Sequence, residues 1–368
     1  MIPVFKPSYG KEELDALKEV LSSGWVGLGP KTQEFEEEFA KYIGTKYAVA
    51  LNSCTAALHL ALKVMGVEDK EVITTPISFV STNHAILYNN AVPVFSDVYP
   101  DTLNISVEEI EKNITPNTKA IITVHYGGHP CDIDPIVELT KKHDLKLIED
   151  AAHGCGGEYK GRKIGSLGDI ACFSFHAVKN LATGEGGMIT TNEKDVYERL
   201  KKLRWLGINK GTWDREADDR KYSWYYDVEE LGFKCHMNDI PAAIGLAQLK
   251  KLDRLNEKRK AFANRYNKAF QELEWIEAPV EKKYAKSAFH NYVIKLDDRD
   301  GLNLHLQKKG ISTGVHYVPN HHYGMYKKYR AQCPVADKVW KRLLTLPLYP
   351  DLSDSDFNKI VEAVKEYK

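Results

Sequence analysis

The alternation of short apolar runs with helical segments between residues 47 and 192 limits the fold of this 368-residue chain more than any other feature. Strand-like runs such as 47–51, 71–75 and 145–150 are separated by stretches whose apolar residues recur at helical spacing. Such alternation is typical of βαβ units, in which parallel strands form one sheet and helices cover its two faces. We therefore predict an α/β fold with a three-layer α/β/α large domain and a mostly parallel mixed sheet.

The chain divides into three predicted regions. Residues 1–30 form an N-terminal arm, residues 31–250 the large domain, and residues 251–368 a smaller α+β C-terminal domain. A long charged helix links the last two, and the small domain mixes helical patterns with strand-like pieces such as 312–318. The polar and aromatic stretch 209–226 predicts either a long functional loop or an insertion packed on a partner subunit.

Charge and cysteine usage exclude several classes of protein. Lys plus Arg equals Asp plus Glu, at 51 each, so the charge balance gives no reason to expect nucleic acid or an acidic membrane surface. No apolar run approaches the length of about 20 residues that crosses a bilayer, and the N-terminus lacks the basic and apolar halves of a signal peptide. The six cysteines are scattered without a Cys-x-x-Cys pair, which favours reduced thiols. We predict a cytoplasmic protein without nucleic-acid or membrane partners.

Two histidine-rich loops raise the question of a metal. The first, His125-Tyr-Gly-Gly-His-Pro-Cys-Asp132, fits no standard zinc spacing, and nothing places it on a helix. We expect that loop to border a substrate cleft. In the second loop, His316-Tyr-Val-Pro-Asn-His-His-Tyr323, metal binding is possible, but the sequence supports it only weakly. We predict no metal site in either loop.

Two polar residues follow neighbouring strand-like runs. Asp150 ends the run 145–150, and Lys179 comes soon after the run 170–175. Chemistry in an open α/β sheet gathers at the carboxyl ends of strands. A pyridoxal phosphate (PLP) enzyme needs this pair, because the lysine forms a Schiff base with the aldehyde and the carboxylate keeps the pyridine nitrogen protonated. A surface lysine and a helix-capping aspartate are the ordinary alternatives.

The residues around this pair closely resemble a known signature. Phe173-Ser-Phe-His-Ala-Val-Lys-Asn-Leu-Ala-Thr-Gly-Glu-Gly-Gly187 resembles the lysine motif of the DegT/DnrJ/StrS-type nucleotide-sugar aminotransferases, and Glu149-Asp-Ala-Ala-His-Gly154 resembles their pyridine-nitrogen motif. The resemblance implies the aspartate aminotransferase fold (PLP-dependent transferase fold type I). It also implies transfer of an amino group from L-glutamate, with release of 2-oxoglutarate, to a keto-sugar carried on a nucleotide, in amino-sugar synthesis for surface polysaccharide or glycoconjugate. The run 176–180 is similar to that of the family members that make 4-amino-4-deoxyarabinose on UDP. This similarity points to a C4 ketone, and the predicted acceptor is a 4-keto-6-deoxyhexose or a related 4-keto sugar.

The phosphate of PLP needs an anion site. Asn52-Ser-Cys-Thr55 leads from a strand-like run into a helix start, where free backbone N–H groups and the positive end of the dipole favour an anion. An ordinary helix cap by Ser53 or Thr55 is the alternative. The resemblance implies that Thr55, Ala56 and Ser174 hold the phosphate.

Further roles are implied by the resemblance alone. The predicted contacts to the cofactor are Lys179 with the aldehyde, Asp150 with the ring nitrogen, His153 with the phenolic oxygen and Phe79 stacked on the ring. The predicted substrate residues are Trp25, in an arm near the active site, Glu185 and His321. The segment 232–245 resembles one that crosses a dimer interface, so Lys234 is predicted to contact the phosphate in the neighbouring site of a homodimer with shared active sites.

Three rival functions remain at this point. A PLP-dependent sugar 3-dehydratase of the same family has histidine in place of the lysine, so Lys179 argues against it. A PLP-holding regulator would need a DNA-binding module, which the chain does not show. An NAD-dependent sugar-modifying enzyme would be expected to open with a Gly-x-Gly-x-x-Gly fingerprint, and this chain has none.

Overall fold

The computed structural model describes residues 1–209 and 226–368. The predicted loop 209–226 therefore lies outside the described residues, apart from its first and last positions. Within the described part of the chain, no helix combines the length and apolar character that a membrane span requires.

Helices and strands alternate through the first half of the chain, as the periodicity predicts. The helices are α1 (Lys11–Ser23), α2 (Pro30–Ile43), α3 (Cys54–Val64), α4 (Val80–Tyr88), α5 (Val107–Asn113), α6 (Ile133–His143), α7 (Lys194–Leu203), α8 (Asp239–Phe270), α9 (Arg299–Lys308), α10 (Pro334–Val339) and α11 (Asp354–Lys365). The strands are β1 (Tyr47–Leu51), β2 (Glu71–Thr74), β3 (Val92–Phe95), β4 (Thr118–Val124), β5 (Lys146–Asp150), β6 (Glu158–Tyr159), β7 (Arg162–Lys163), β8 (Ile170–Ser174), β9 (Gly187–Thr191), β10 (Ala285–Lys286), β11 (Tyr292–Lys295) and β12 (Leu343–Leu346).

The main sheet has seven strands in the order β1-β9-β8-β5-β4-β2-β3. Strand β9 runs antiparallel to both of its neighbours, whereas the pairs among β8, β5, β4, β2 and β3 are parallel. The predicted mostly parallel mixed sheet is confirmed. Because β1 and β8 are both antiparallel to β9, the carboxyl ends of β1, β5 and β8 all lie at one edge of the sheet.

Side chains on alternate positions of β8 explain the layers. Cys172 points to a core that contains α3 and α7 residues, whereas Ala171 and Phe173 point to a second core with α2 and α8. Since successive side chains of a strand face opposite sides of a sheet, this strand is covered by helices on both faces. Its near-continuous apolar sequence follows from that double burial.

A separate core forms around the antiparallel pair of β11 and β12. It contains residues from α9, α11 and the second half of α8, including Tyr266 and Phe270, and also Ile2 from the N-terminus. Helix α8 runs without a break past residue 250 and contributes its earlier residues Ala242 and Leu252 to the large-domain core. The predicted domain boundaries stay a prediction.

One predicted strand is wrong. Residues 312–318 form no strand, although Gly314 makes an isolated bridge to Thr345. The backbones of Gly314 and Thr345 exchange two hydrogen bonds, at 2.7 and 3.2 Å, and the His316 Nδ1 atom lies 2.7 Å from the Thr345 hydroxyl, so a single residue pair and a side chain hold this segment beside β12.

Candidate active site

Asp150 is the last residue of β5 and is only 3% exposed. Its carboxylate accepts hydrogen bonds from the Thr82 hydroxyl at 2.7 Å and from the Ala152 backbone N–H at 3.1 Å. Burial raises the pKa of Asp150, and these two hydrogen bonds and the Lys179 charge only partly oppose that effect. A cation placed against this carboxylate, such as a protonated pyridine nitrogen, would stabilise its charged form.

Lys179 lies on the loop between β8 and β9. Two backbone hydrogen bonds close the base of this loop, from Phe175 to Gly186 at 2.9 Å and from Thr183 to Phe175 at 2.8 Å. Desolvation lowers the pKa of the Lys179 amine to about 8, while the nearby Cys54 and Asp150 oppose that shift. Both the neutral amine and the ammonium are therefore populated close to neutral pH, as a group that binds an aldehyde and moves protons requires.

His153 follows Asp150 by three residues and is 5% exposed. Its Nε2 atom lies 3.2 Å from the Tyr317 hydroxyl, and its ring centre lies 4.3 Å from that of His290. Burial first, and then the Lys179 charge, hold the pKa of His153 well below its ordinary value. Its Nδ1 atom is buried and has no hydrogen-bond partner among the described residues. A buried nitrogen without a partner is costly, so a ligand oxygen is its natural complement.

Asn180, the residue after Lys179, connects the loop to distant parts of the chain. Its Nδ2 atom donates to the Asn256 side chain and to the Ala288 backbone, both at 2.8 Å. Its Oδ1 atom must then accept, so His290, at 3.1 Å, donates from Nδ1. This network ties the lysine loop to α8 and to the segment before β11.

The predicted phosphate residues lie at the same edge of the sheet. Ser53 caps α3, its hydroxyl accepting from the Ala56 backbone N–H at 3.1 Å, and Thr55 lies in the first turn of that helix. Ser174 ends β8 and pairs with Gly187 of β9. A Cβ atom at Gly187 would lie 2.5 Å from the Ser53 backbone, so only glycine lets the helix start approach these strand ends.

Phe79 stands immediately before α4 and is 58% exposed. Its ring centre lies 6.1 Å from that of Tyr317, which in turn lies 6.1 Å from that of His153. These three rings border the space next to Asp150. The free face of Phe79 can therefore cover a flat ligand ring.

Other predicted residues lie outside this group. The Lys234 amine lies 3.4 Å from the ring centre of Trp205, and the Glu185 carboxylate lies 3.7 Å from His176 Nε2 at the surface. Trp25 occupies the turn before α2, and the His321 Nε2 atom lies 2.9 Å from the Asp337 carboxylate. Their predicted roles stay predictions.

The structure places three further residues, Thr82, His290 and Tyr317, close to the predicted site residues. The sequence indicates Thr82 only weakly. It follows Phe79 by three residues and therefore lies in the first turn of α4, at the end of the helix where Phe79 was predicted to meet the cofactor. Tyr317 lies in the histidine-rich loop 316–323 that the sequence singles out, but nothing in that loop indicates a contact with His153. His290 has no signal in the sequence, because it lies more than 100 residues beyond Lys179 and reaches the lysine loop only through the packing of the two cores.

The residues present fit PLP. A buried carboxylate lacks a full counter-charge, a desolvated amine has a lowered pKa, and a buried imidazole nitrogen has no partner in the described part of the chain. Each corresponds to one functional group of the cofactor: the ring nitrogen, the aldehyde and the phenolic oxygen.

Comparison with known proteins gives matches over almost the whole chain. The model of the DegT/DnrJ/EryC1/StrS aminotransferase family matches residues 7–365. The spore coat polysaccharide biosynthesis protein SpsC of Bacillus subtilis is 43% identical, covering 99% of this chain and 96% of SpsC. The sugar aminotransferase CalS13 of Micromonospora echinospora superposes with a TM-score of 0.91 at 33% identity, covering 100% of both chains. Spr1654 of Streptococcus pneumoniae, in its pyridoxamine phosphate (PMP) form, gives a TM-score of 0.94 at 32% identity, covering 100% of this chain and 98% of Spr1654.

Proposed function

The chain belongs to the DegT/DnrJ/EryC1/StrS aminotransferase family and is a PLP-dependent sugar aminotransferase, and we propose that it transfers the amino group of L-glutamate to a 4-keto sugar carried on a nucleotide. The product would be an amino sugar for a surface polysaccharide or glycoconjugate. The similarity to SpsC, a spore coat polysaccharide biosynthesis protein, supports the use of the product in a surface polysaccharide.

The observation that carries the proposal is the convergence of Asp150 and Lys179 at one edge of the sheet. When bound, PLP supplies an aldehyde that captures a primary amine and a protonated ring that withdraws electrons from the carbon next to that amine. Asp150 would keep the ring nitrogen protonated. Lys179 would hold the aldehyde and, once free, would move a proton at the α-carbon of glutamate.

The remaining contacts would orient the cofactor. We propose that His153 bonds the phenolic oxygen, that Phe79 covers one face of the ring, and that the α3 start with Ser174 binds the phosphate. The dipole and free N–H groups at a helix N-terminus favour such a dianion. Trp25, Glu185 and His321 remain our proposed substrate residues.

The rival dehydratase is disfavoured by Lys179, because that reaction is carried by family members with histidine at this position. An amine at Lys179 with a pKa of about 8 suits proton transfer in a transaminase. The two activities also give different products, since amination replaces the keto oxygen and dehydration removes a hydroxyl.

A panel of 3-keto and 4-keto sugar nucleotides tests the function. The holoenzyme is incubated with each sugar and ¹⁵N-labelled glutamate, and the products are identified by mass spectrometry. We expect ¹⁵N in the product from a 4-keto sugar, and no product from the Lys179→Ala variant. Label only in products of 3-keto sugars would overturn the C4 assignment, and loss of water without label would favour the dehydratase.

The attachment of PLP has its own test. The holoenzyme is reduced with borohydride and digested, and the peptide containing Lys179 is weighed. We expect a pyridoxyl adduct on this residue. An adduct on another lysine, or none, would remove the basis of the proposed function.

We also propose a cytoplasmic homodimer whose active sites are shared through Lys234. The variants Lys179→Ala and Lys234→Ala should each be impaired alone. If each active site takes Lys179 from one subunit and Lys234 from the other, a dimer of one Lys179→Ala and one Lys234→Ala subunit contains one intact site. Mixing the two variants should therefore restore part of the activity. Mixing that restores no activity would place both residues in the site of a single subunit.

A further inference from the structure

Two histidines and an aspartate converge at the end of the loop that carries Tyr317, and one of them, His321, is also a proposed substrate residue. His321 and His322 lie on a short 3-10 helix (Asn320–His322), and Asp337 lies on α10. The Asp337 Oδ1 atom is 2.9 Å from His321 Nε2 and 2.6 Å from His322 Nε2. One ligand atom from each of the three residues lies within 4.8 Å of the other two.

These donors suit a specific class of ion. Neutral imidazole nitrogens and a carboxylate oxygen are the ligands of zinc sites, and three protein ligands leave a fourth position for water. Metal–ligand bonds of about 2.0–2.2 Å in tetrahedral geometry would separate the donor atoms by roughly 3.3–3.6 Å. The observed separations from Asp337, 2.9 and 2.6 Å, are shorter by roughly 0.4 to 1.0 Å, so the side chains would have to rotate apart to admit an ion.

Contrary to the expectation from the sequence, we propose that His321, His322 and Asp337 form a binding site for a divalent transition-metal ion, Zn²⁺ in the first instance, with one position open to solvent.

The surroundings favour His321 as a ligand. Its side chain is 9% exposed, and its ring packs 6.0 Å from that of Phe95 on one side and 4.5 Å from that of His322 on the other. Trp340 adds a further aromatic ring 5.8 Å from His322.

The described residues offer no competing group of three donors. The six cysteines are all buried, and no second group of three His, Cys, Asp or Glu side chains with this spacing occurs in residues 1–209 and 226–368. A metal added to the protein should therefore find this cluster first.

The cluster lies at one end of the loop that reaches the cofactor pocket. The Asn320 backbone N–H donates to Pro76 at 2.8 Å, its side chain donates to Ser78 at 2.7 Å, and Tyr317 of the same loop lies against His153. A bound ion would tie this loop to α10 through bonds stronger than the present hydrogen bonds. This inference does not depend on the amino donor or the sugar.

Cobalt supplies the direct test, because Co²⁺ at a site of this kind absorbs visible light whereas Zn²⁺ does not. Tag-free holoenzyme is stripped with a chelator, dialysed and titrated with Co²⁺, and Zn²⁺ affinity is then measured by competition and calorimetry. We expect one Co²⁺ per chain, displaced by one Zn²⁺. His322→Asn and Asp337→Asn should weaken binding at least tenfold.

Two variants serve as controls. His143→Asn, an exposed histidine at the end of α6, should bind metal as the wild type does. Lys179→Ala should also bind normally, which separates this site from the cofactor site. Absence of stoichiometric binding by the wild type, or equal binding by His322→Asn and His143→Asn, would overturn the proposal. Melting temperatures in chelator show whether each variant is folded.

Discussion

The pKa of Lys179 makes a prediction about how the apoenzyme captures its cofactor. Only the neutral amine attacks an aldehyde, and desolvation places the pKa of this amine at about 8 instead of its usual value near 10.5. The rate of PLP capture should therefore level off above pH 8 and fall roughly tenfold per pH unit below it. Stopped-flow absorbance from pH 6 to 10 measures this rate.

The opposite outcome is equally clear. If the rate continues to rise to pH 10, the amine of Lys179 is hydrated like a surface lysine. Replacing Cys54 with alanine, beside the lysine, provides a comparison, because its effect on the pKa of Lys179 is secondary to desolvation. In the Cys54→Ala variant, the midpoint of the pH–rate profile should therefore shift by less than the difference between about 8 and 10.5 that desolvation produces.

Glu149 makes a second prediction at the scale of one residue. Its buried carboxylate accepts hydrogen bonds from the backbone of Gly165, Leu167 and Gly168 at 2.8–3.0 Å and lies 3.0 Å from His125 Nε2. Because each backbone donor left unpaired costs about 1–3 kcal/mol, Glu149→Ala should destabilise the protein by at least about 3 kcal/mol. Urea unfolding measures this loss, and Glu138→Ala, on the exposed side of α6, should be nearly neutral.

The effect of Glu149 should depend on pH with a defined sign. Burial alone would raise its pKa, but the hydrogen bonds from His125, Gly165 and Gly168 together hold that pKa below its ordinary value. The carboxylate therefore stabilises the fold above an unfolded-state pKa of about 4.3, and this stability is lost as the pH falls through the lower folded-state value. The stability difference between wild type and Glu149→Gln should shrink between pH 6 and pH 3.

At the scale of elements, α2 lacks a cap of its own and receives one from α8. The N-cap of α2 is Gly29, which has no side chain. Asp239 instead accepts hydrogen bonds from the backbone N–H groups of Gly29, Lys31 and Thr32 at 2.9–3.1 Å and from the Thr32 hydroxyl at 2.7 Å. This contact across 207–210 residues also holds the turn that carries Trp25.

Asp239→Ala should therefore affect both stability and substrate binding. We expect a loss of about 2–4 kcal/mol, because several donors lose their acceptor, and a several-fold rise in KM for the sugar nucleotide without a change in PLP affinity. Asp298→Ala, which removes the side-chain cap of α9, is the matched control and should lower stability by about 1 kcal/mol with KM unchanged. If the two variants have equal KM values for the sugar nucleotide, the turn that carries Trp25 does not contribute to substrate binding.

The elements that carry Asp150 and Lys179 could be predicted because their signals are local. An apolar run that ends in polar residues marks each strand end, and β5 and β8 begin and end close to where the sequence indicates. The cap by Asp239 and the contact between His290 and Asn180 could not be predicted, because each depends on packing between segments far apart in the chain. Periodicity specifies which face of an element is buried, but not which distant side chain meets it.

At the scale of the whole molecule, the proposed cofactor pocket lies where the two cores meet. Lys179, Asp150 and His153 come from the part of the chain that builds the seven-stranded sheet. Asn180 bonds His290 and Ala288, and His153 approaches Tyr317, all from the part of the chain that builds the small core. A ligand that orders His153 and the lysine loop should therefore also reduce the motion of the segments around 288–292 and 316–323, which are hydrogen-bonded to them.

Hydrogen exchange should detect this coupling. Fixing PLP to Lys179 by borohydride reduction should slow amide exchange in 145–187 and also in 284–296 and 313–323, whereas α11 should be unaffected. In Asn180→Ala, protection of 145–187 should remain while that of 284–296 is lost, because Asn180 supplies the hydrogen bonds to Ala288 and His290. If PLP protects only 145–187 in the wild type, the two cores respond independently, and the hydrogen bonds between them have no part in cofactor binding.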